Sequence, residues 1–127
     1  MAGDPTWDFL DPTSRGRLLS VLRTEIDAML ELAAPASRWH VPTACPGWEL
    51  RDMVGHLVDA TESDLSGFDL ARRGVAGEEP IGVAGMAKAS DAAARSFRNV
   101  PQDELVQRLR VQSDRLLYEF ESLSDAD

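Results

Sequence analysis

Apolar residues recur at spacings of three and four along separate stretches of this chain, and no stretch alternates between apolar and polar residues as a strand does. The clearest stretch comes before Pro35 and carries Leu18, Leu22, Ile26, Met29 and Leu30. That spacing places all five side chains on one face of a helix. Because the periodicity is helical wherever it is strong, the sequence predicts an all-α fold.

Local start and stop signals divide the chain into four predicted helices. Hydroxyl side chains at Thr13 and Ser14 can cap the first helix, and Pro35 ends it. A proline near the first position and an acidic first turn open the last helix. The predicted ranges are about 13–33, 49–66, 83–97 and 101–123. We expect these helices to form an antiparallel bundle with short connections.

The length of 127 residues suits one domain with one core, spanning residues 1–127. Residues 1–11 are rich in Pro and Asp and are predicted to be an N-terminal lead-in. Residues 67–82 contain four glycines and the charged pairs Arg72-Arg73 and Glu78-Glu79. We therefore expect a mobile polar loop there, with room for a short helix around residues 68–73.

Charge and composition exclude several classes of partner. The chain carries 22 acidic and 13 basic residues, a net charge of −9, and such a surface repels the phosphates of nucleic acids. No apolar run approaches the roughly 18 to 20 residues of a membrane span, and the acidic N-terminus is unlike a secretory signal. Cys45 is the sole cysteine, which suits a reducing compartment. We expect a cytoplasmic protein that binds neither nucleic acid nor membrane.

A Cys-Pro-Gly-Trp turn leads directly into the second predicted helix, and this helix carries His56, one of two histidines in the chain. Helical spacing places Asp52 and Asp59 beside His56. A nearby carboxylate raises the basicity of an imidazole and fixes its tautomer, as it does around metal ligands. Zinc usually takes three or four ligands, so the spacing alone favours a packing role for a lone histidine.

The other reactive side chains near this turn have simpler interpretations. Cys45 lies close to a helix N-terminus, where a thiolate is stabilised, but a small buried hydrophobic residue in a proline-flanked turn is the favoured alternative. His40 is more typical of a loop residue than of a ligand. Trp39 and Trp48 are expected to pack against the helices, and the spacing of Cys45 and His56 matches no zinc finger.

The stretch from residue 39 to residue 58 resembles the N-terminal metal-binding domain of mycothiol-dependent maleylpyruvate isomerase-like proteins, within the DinB-like superfamily. The residues that carry the resemblance are Trp39, Pro42-Thr43, Cys45-Pro46-Gly47-Trp48, Arg51-Asp52 and His56-Leu57. The resemblance implies that His56 is one ligand of a divalent metal, most often zinc. It also implies that the metal activates the thiol of a small cofactor such as mycothiol.

The sequence departs from this family at two points. The family's remaining metal ligands come from a later helix, whereas no histidine follows His56 in this sequence. Position 49 is Glu, where Ser or Thr would cap the helix better. We therefore expect a chain truncated before the last ligand-bearing helix, so that the bundle lacks its final helix and the metal site is incomplete.

Two functions remain open at this point. One is a metal-binding helical domain resembling mycothiol-dependent isomerases and thiol transferases. The alternative is a non-catalytic interaction or dimerisation module. A bundle without one helix exposes an apolar groove, and large apolar patches usually mark association surfaces. We therefore expect a homodimer that fills the groove.

Overall fold

In a computed structural model, which describes residues 8, 10–77 and 81–123, the chain folds into an all-α bundle. The helices are α1 (Arg15–Ala33), α2 (Leu50–Arg72), α3 (Gly82–Ser96) and α4 (Gln102–Ser122). Short 3-10 turns at Pro12–Ser14 and Ala36–Arg38 flank α1. The described residues contain no strand beyond one isolated bridge between Pro42 and Glu49. The predicted fold class is confirmed.

Helix α4 packs along both α1 and α2, whereas α1 and α2 touch each other little, and α3 packs on α2. The register of the side-chain contacts gives the helix directions. Gln102 at the start of α4 reaches the end of α1 at Ala33, so α1 and α4 are antiparallel. Arg108 and Glu119 of α4 meet Glu62 and Arg72 of α2 in the same order, so α2 and α4 run parallel. This parallel arrangement of α2 and α4 is possible because α3 packs on α2 and brings the chain back to the end of the bundle where α2 begins.

The core lies where α1, α2 and α4 meet and includes the tryptophan of the first loop. Its buried members are Leu30, Ala33, Trp39, Leu50, Val54, Val58, Leu105 and Leu109. Trp39 therefore packs as predicted, whereas Val41 in the same loop is 49% exposed. The side-chain amide of Gln102 donates to the carbonyls of residues 33, 34 and 35, which satisfies acceptors left free at the end of α1.

Helix α2 is longer than predicted, because residues 67–72 continue it instead of opening a loop. Tertiary contacts hold this extra length in place. Phe68 packs edge-on against Phe120, with ring centroids 5.5 Å apart, and Arg72 pairs with Glu119. The helix ends in a turn at Gly74, whose positive φ of 67° suits glycine. Within the predicted loop, residues 78–80 lie outside the described residues, as do residues 1–7 and 9 of the predicted lead-in.

No helix of the described chain combines the length and apolar character needed to cross a membrane.

Two glycines inside α2 offer a matched test of the packing between α2 and α3. A Cβ at Gly55 would lie 2.8 Å from the carbonyl oxygen of Ala94, whereas a Cβ at Gly67 would meet nothing within 4 Å. Both Ala substitutions gain helix propensity, about 0.5–1 kcal/mol. We expect Gly67→Ala to stabilise the protein and Gly55→Ala to destabilise it by about 1–3 kcal/mol through overpacking. Urea unfolding would measure both, and equal midpoints would contradict the close contact.

Candidate functional site

The turn at residues 43–48 is held by its own hydrogen bonds. The Thr43 amide donates to the Trp48 carbonyl at 2.9 Å, and the Trp48 amide donates to the Cys45 carbonyl at 3.0 Å. The Thr43 hydroxyl accepts from the Cys45 amide at 3.1 Å. Gly47 has a φ of 79°, a conformation that favours glycine. The sequence thus forms a rigid turn that fixes where Trp48 points.

Helix α2 begins with a side-chain cap that the sequence alone did not reveal. The carboxylate of Asp52 accepts the backbone N–H of Glu49 at 2.9 Å, so a residue in the first turn caps the helix start. The side chain of Glu49 turns outward to Arg51, at 2.6 Å, and to His40, at 3.0 Å. The hydrogen bond with His40, ahead of that with Arg51, lowers the pKa of Glu49.

Asp52 is fully buried, and Arg98 compensates its charge. Two guanidinium nitrogens, Nε and Nη2, donate to the two carboxylate oxygens at 2.8 and 2.7 Å. These hydrogen bonds lower the pKa of Asp52 despite its burial, so it is ionised at neutral pH. Arg98 follows α3, and its Nη2 also lies 3.5 Å from the Gly47 carbonyl. One residue therefore joins α2, α3 and the turn.

Two residues of α3 complete the attachment of the turn. The indole Nε1–H of Trp48 donates to Oδ1 of Asp91 at 2.7 Å, and Nε of Arg95 donates to the same oxygen at 2.9 Å. Nη2 of Arg95 also donates to the carbonyl of Gly47 at 3.1 Å. The hydrogen bond from Trp48, followed by that from Arg95, lowers the pKa of Asp91. Sequence reasoning missed Asp91, Arg95 and Arg98, and the one local signal among them is the i,i+4 spacing of Asp91 and Arg95.

His56 lies on α2 beside the turn and is half-buried. Its ring centroid is 5.4 Å from that of Trp48, with the two planes tilted by 44°. Its Nδ1 is buried and has no hydrogen-bond partner among the described residues. The expectation that Asp52 assists His56 is therefore wrong, because Asp52 is engaged by Arg98 and the Glu49 amide. Nor does Asp59 reach that nitrogen.

An unpartnered buried nitrogen costs about 1–3 kcal/mol, so it marks a position where a partner would be stabilising. A metal ion is one such partner, since Nδ1 of a neutral imidazole is a common ligand. Across the described part of the chain, however, no three His, Cys, Asp or Glu side chains cluster to hold an ion. Cys45 is a free, half-buried thiol, and His40 belongs to the exposed contact with Glu49. His56 thus fits as one ligand of a site that these residues do not complete.

An apolar groove lies between α1 and α2, with α4 as its floor, and has a volume of about 190 Å³. Its lining includes Leu57, the residue next to His56. The lining residues are Leu22, Ile26, Met29, Leu57, Thr61, Leu109, Ser113, Leu116, Leu117 and Phe120. Because the groove separates α1 from α2, it explains why several apolar residues of α1 are only half-buried.

Comparison with known proteins gives one match. The model of the family described as mycothiol maleylpyruvate isomerase N-terminal domain matches residues 20–127. This range includes the turn, His56, and the three charged residues at positions 91, 95 and 98. Neither the curated proteins nor the solved structures include a match to this chain.

The buried pair of Asp52 and Arg98 generates a stability prediction. Asp52→Ala leaves Arg98 without its partner and removes the cap of α2, so we expect a loss of about 3–5 kcal/mol at neutral pH. Because the folded-state pKa of Asp52 is lowered, its contribution is present above its unfolded pKa of about 3.9 and is lost as pH falls through the folded-state value. The difference between variant and wild type should therefore shrink in acid.

Asp69→Ala is the matched control, because Asp69 forms an exposed i,i+4 pair with Arg73 on the same helix. We expect that variant to lose less than about 1 kcal/mol. Urea unfolding at neutral and acidic pH measures both variants. Similar losses for the two at neutral pH would contradict the structural importance of Asp52.

Proposed function

The chain belongs to the family of mycothiol maleylpyruvate isomerase N-terminal domains, and on that premise we propose that it is a metal-binding helical domain in which His56 supplies one ligand. The observation that carries the proposal is the buried, unpartnered Nδ1 of His56. Such a nitrogen gains a bond when a cation binds, without having to give up another. His56 lies on helix α2 beside a rigid turn, and this setting provides the fixed geometry that a metal ligand requires.

The proposed metal is the divalent zinc ion, because zinc commonly takes an imidazole donor. One imidazole does not hold a catalytic zinc, which takes three protein ligands and an exchangeable fourth. Further donors would have to come from a thiol cofactor such as mycothiol, from water or from a second copy of the chain. In this proposal the chain therefore carries an incomplete site and is related to thiol-dependent isomerases and transferases.

The setting we propose is the reducing cytoplasm, in keeping with the free thiol of Cys45. The net charge of −9 supports small-molecule or protein partners over nucleic acids.

The second candidate is a homodimerisation module, and the apolar groove favours it. Three helices contribute a nearly continuous leucine-rich lining to this groove. A second copy is a suitable occupant because a two-fold axis would place α1 of each copy, with Leu22 and Ile26 on its apolar face, against the groove of the other. The acidic net charge opposes association by long-range repulsion, which salt screens.

The metal proposal predicts that wild-type protein binds zinc and that His56→Ala weakens binding by at least about tenfold, since it removes a direct ligand. His40→Ala is the matched control, because it deletes the only other histidine, whose contact is the exposed carboxylate of Glu49. Isothermal titration with zinc and metal analysis of purified protein measure the effect. Equal weakening in both variants would point to adventitious surface binding and overturn the assignment of His56.

The dimer proposal predicts that the mass measured by light scattering rises with protein concentration, and rises further with salt. Leu116→Glu places a charge in the groove and should give a monomer. Val111→Glu is the control, because Val111 is on the same helix, is 46% exposed and does not line the groove. A monomeric wild-type protein at every concentration would exclude the dimer and would leave the metal proposal standing.

A further inference from the structure

We propose that Asp91 is a positioning residue, which holds the indole of Trp48 against His56 and thereby sets the orientation of that imidazole. The proposal rests on the proposed function, in which His56 is a metal ligand. The path from α3 to the ligand has two links. Asp91 accepts the indole N–H of Trp48 at 2.7 Å, and the indole ring lies 5.4 Å from the ring of His56.

The first link is fixed at both ends. The same oxygen of Asp91 accepts from Nε of Arg95, so the carboxylate cannot rotate away without losing two hydrogen bonds. At the other end, Arg95 donates to the carbonyl of Gly47, the residue before Trp48. The backbone and the side chain of Trp48 are therefore both tied to α3, and the indole has little freedom to turn.

The second link acts by contact and not by a hydrogen bond. A ligating histidine is usually held in one orientation by hydrogen bonds, but Nδ1 of His56, the proposed ligand atom, has no hydrogen-bond partner among the described residues that would fix the ring. The tilted indole of Trp48 is the aromatic neighbour of this ring. Rings in such contact restrict each other's side-chain rotation, so the position of the indole limits the orientations open to the imidazole.

The exposure and the polar contacts of α3 support a role for this helix in holding the turn at residues 43–48 in position. Ala94 is its buried residue, whereas Val83 and Met86, nearer its start, are 85% and 60% exposed. Helix α3 therefore contributes little to the core. Its polar contacts, by contrast, converge on the turn through Asp91 and Arg95. A helix that contributes little to the core but makes several polar contacts with one turn is suited to holding that turn in place.

The test compares Asp91→Leu, which removes the acceptor, with Asp91→Asn, which keeps an oxygen for the indole N–H. Asp69→Leu is the control, because Asp69 forms an i,i+4 pair with Arg73 as Asp91 does with Arg95, but has no contact with Trp48. Two readouts are used on the full chain. One is the affinity for zinc by calorimetry, and the other is the NMR shifts of the His56 ring protons in metal-free protein.

We expect Asp91→Leu to shift the His56 ring-proton resonances, because the indole of Trp48 moves and its ring-current effect on these protons changes. We also expect this variant to bind zinc about tenfold more weakly. Asp91→Asn should retain most of the affinity, and Asp69→Leu should change neither readout. A purely structural role for Asp91 would lower the melting temperature while leaving both readouts unchanged in the folded protein, and that result would overturn the proposal.

The two proposals can fail separately. If wild-type protein binds no zinc, the metal assignment of His56 fails, and the NMR readout still decides whether Asp91 positions the ring. If Asp91→Leu does not fold, Asp91→Ala replaces it, since alanine also removes the acceptor and leaves the indole of Trp48 unchanged. Unchanged His56 resonances in Asp91→Ala would then overturn the proposal.

Discussion

The arrangement around His56 depends on the ion pair between the buried carboxylate of Asp52 and the guanidinium of Arg98. A fully buried charge is tolerated only with a close counter-charge and satisfied hydrogen bonds. Arg98 provides the counter-charge from the end of α3, and the amide of Glu49 provides a further donor. The start of α2, the path of α3 and the position of the turn are thereby fixed together. Electrostatics, more than apolar packing, sets the geometry of this end of the bundle.

The opposite side of α2 is organised by a different force. There Val54 and Val58 are completely buried against the leucines of α4, and burial of apolar surface is the main stabilising term. Beyond them, the groove between α1 and α2 leaves apolar side chains partly uncovered. His56 lies on the side of the polar network, with its ring against Trp48, whereas the next residue, Leu57, lines the groove.

The family match and the structure bear on different parts of the function. The match identifies a mycothiol-related domain over residues 20–127. The structure adds that the nitrogen of His56 is buried without a partner, while the described residues bring no set of three ligands together. The proposed metal site therefore needs donors beyond the residues that surround His56 here.

The sequence by itself determined the helical class, the rigid turn and the prominence of His56, because helical periodicity, prolines and glycines act locally. It also carried the family resemblance, since the turn motif is contiguous. Only the tertiary structure decided that Asp52 pairs with Arg98, that Asp91 holds Trp48, and that α2 continues past Gly67. These contacts join residues more than 40 positions apart, and no local pattern encodes which distant charges or rings meet. The burial of Asp52 likewise depends on which other parts of the chain pack against it, and the spacing of residues within one helix does not contain that information.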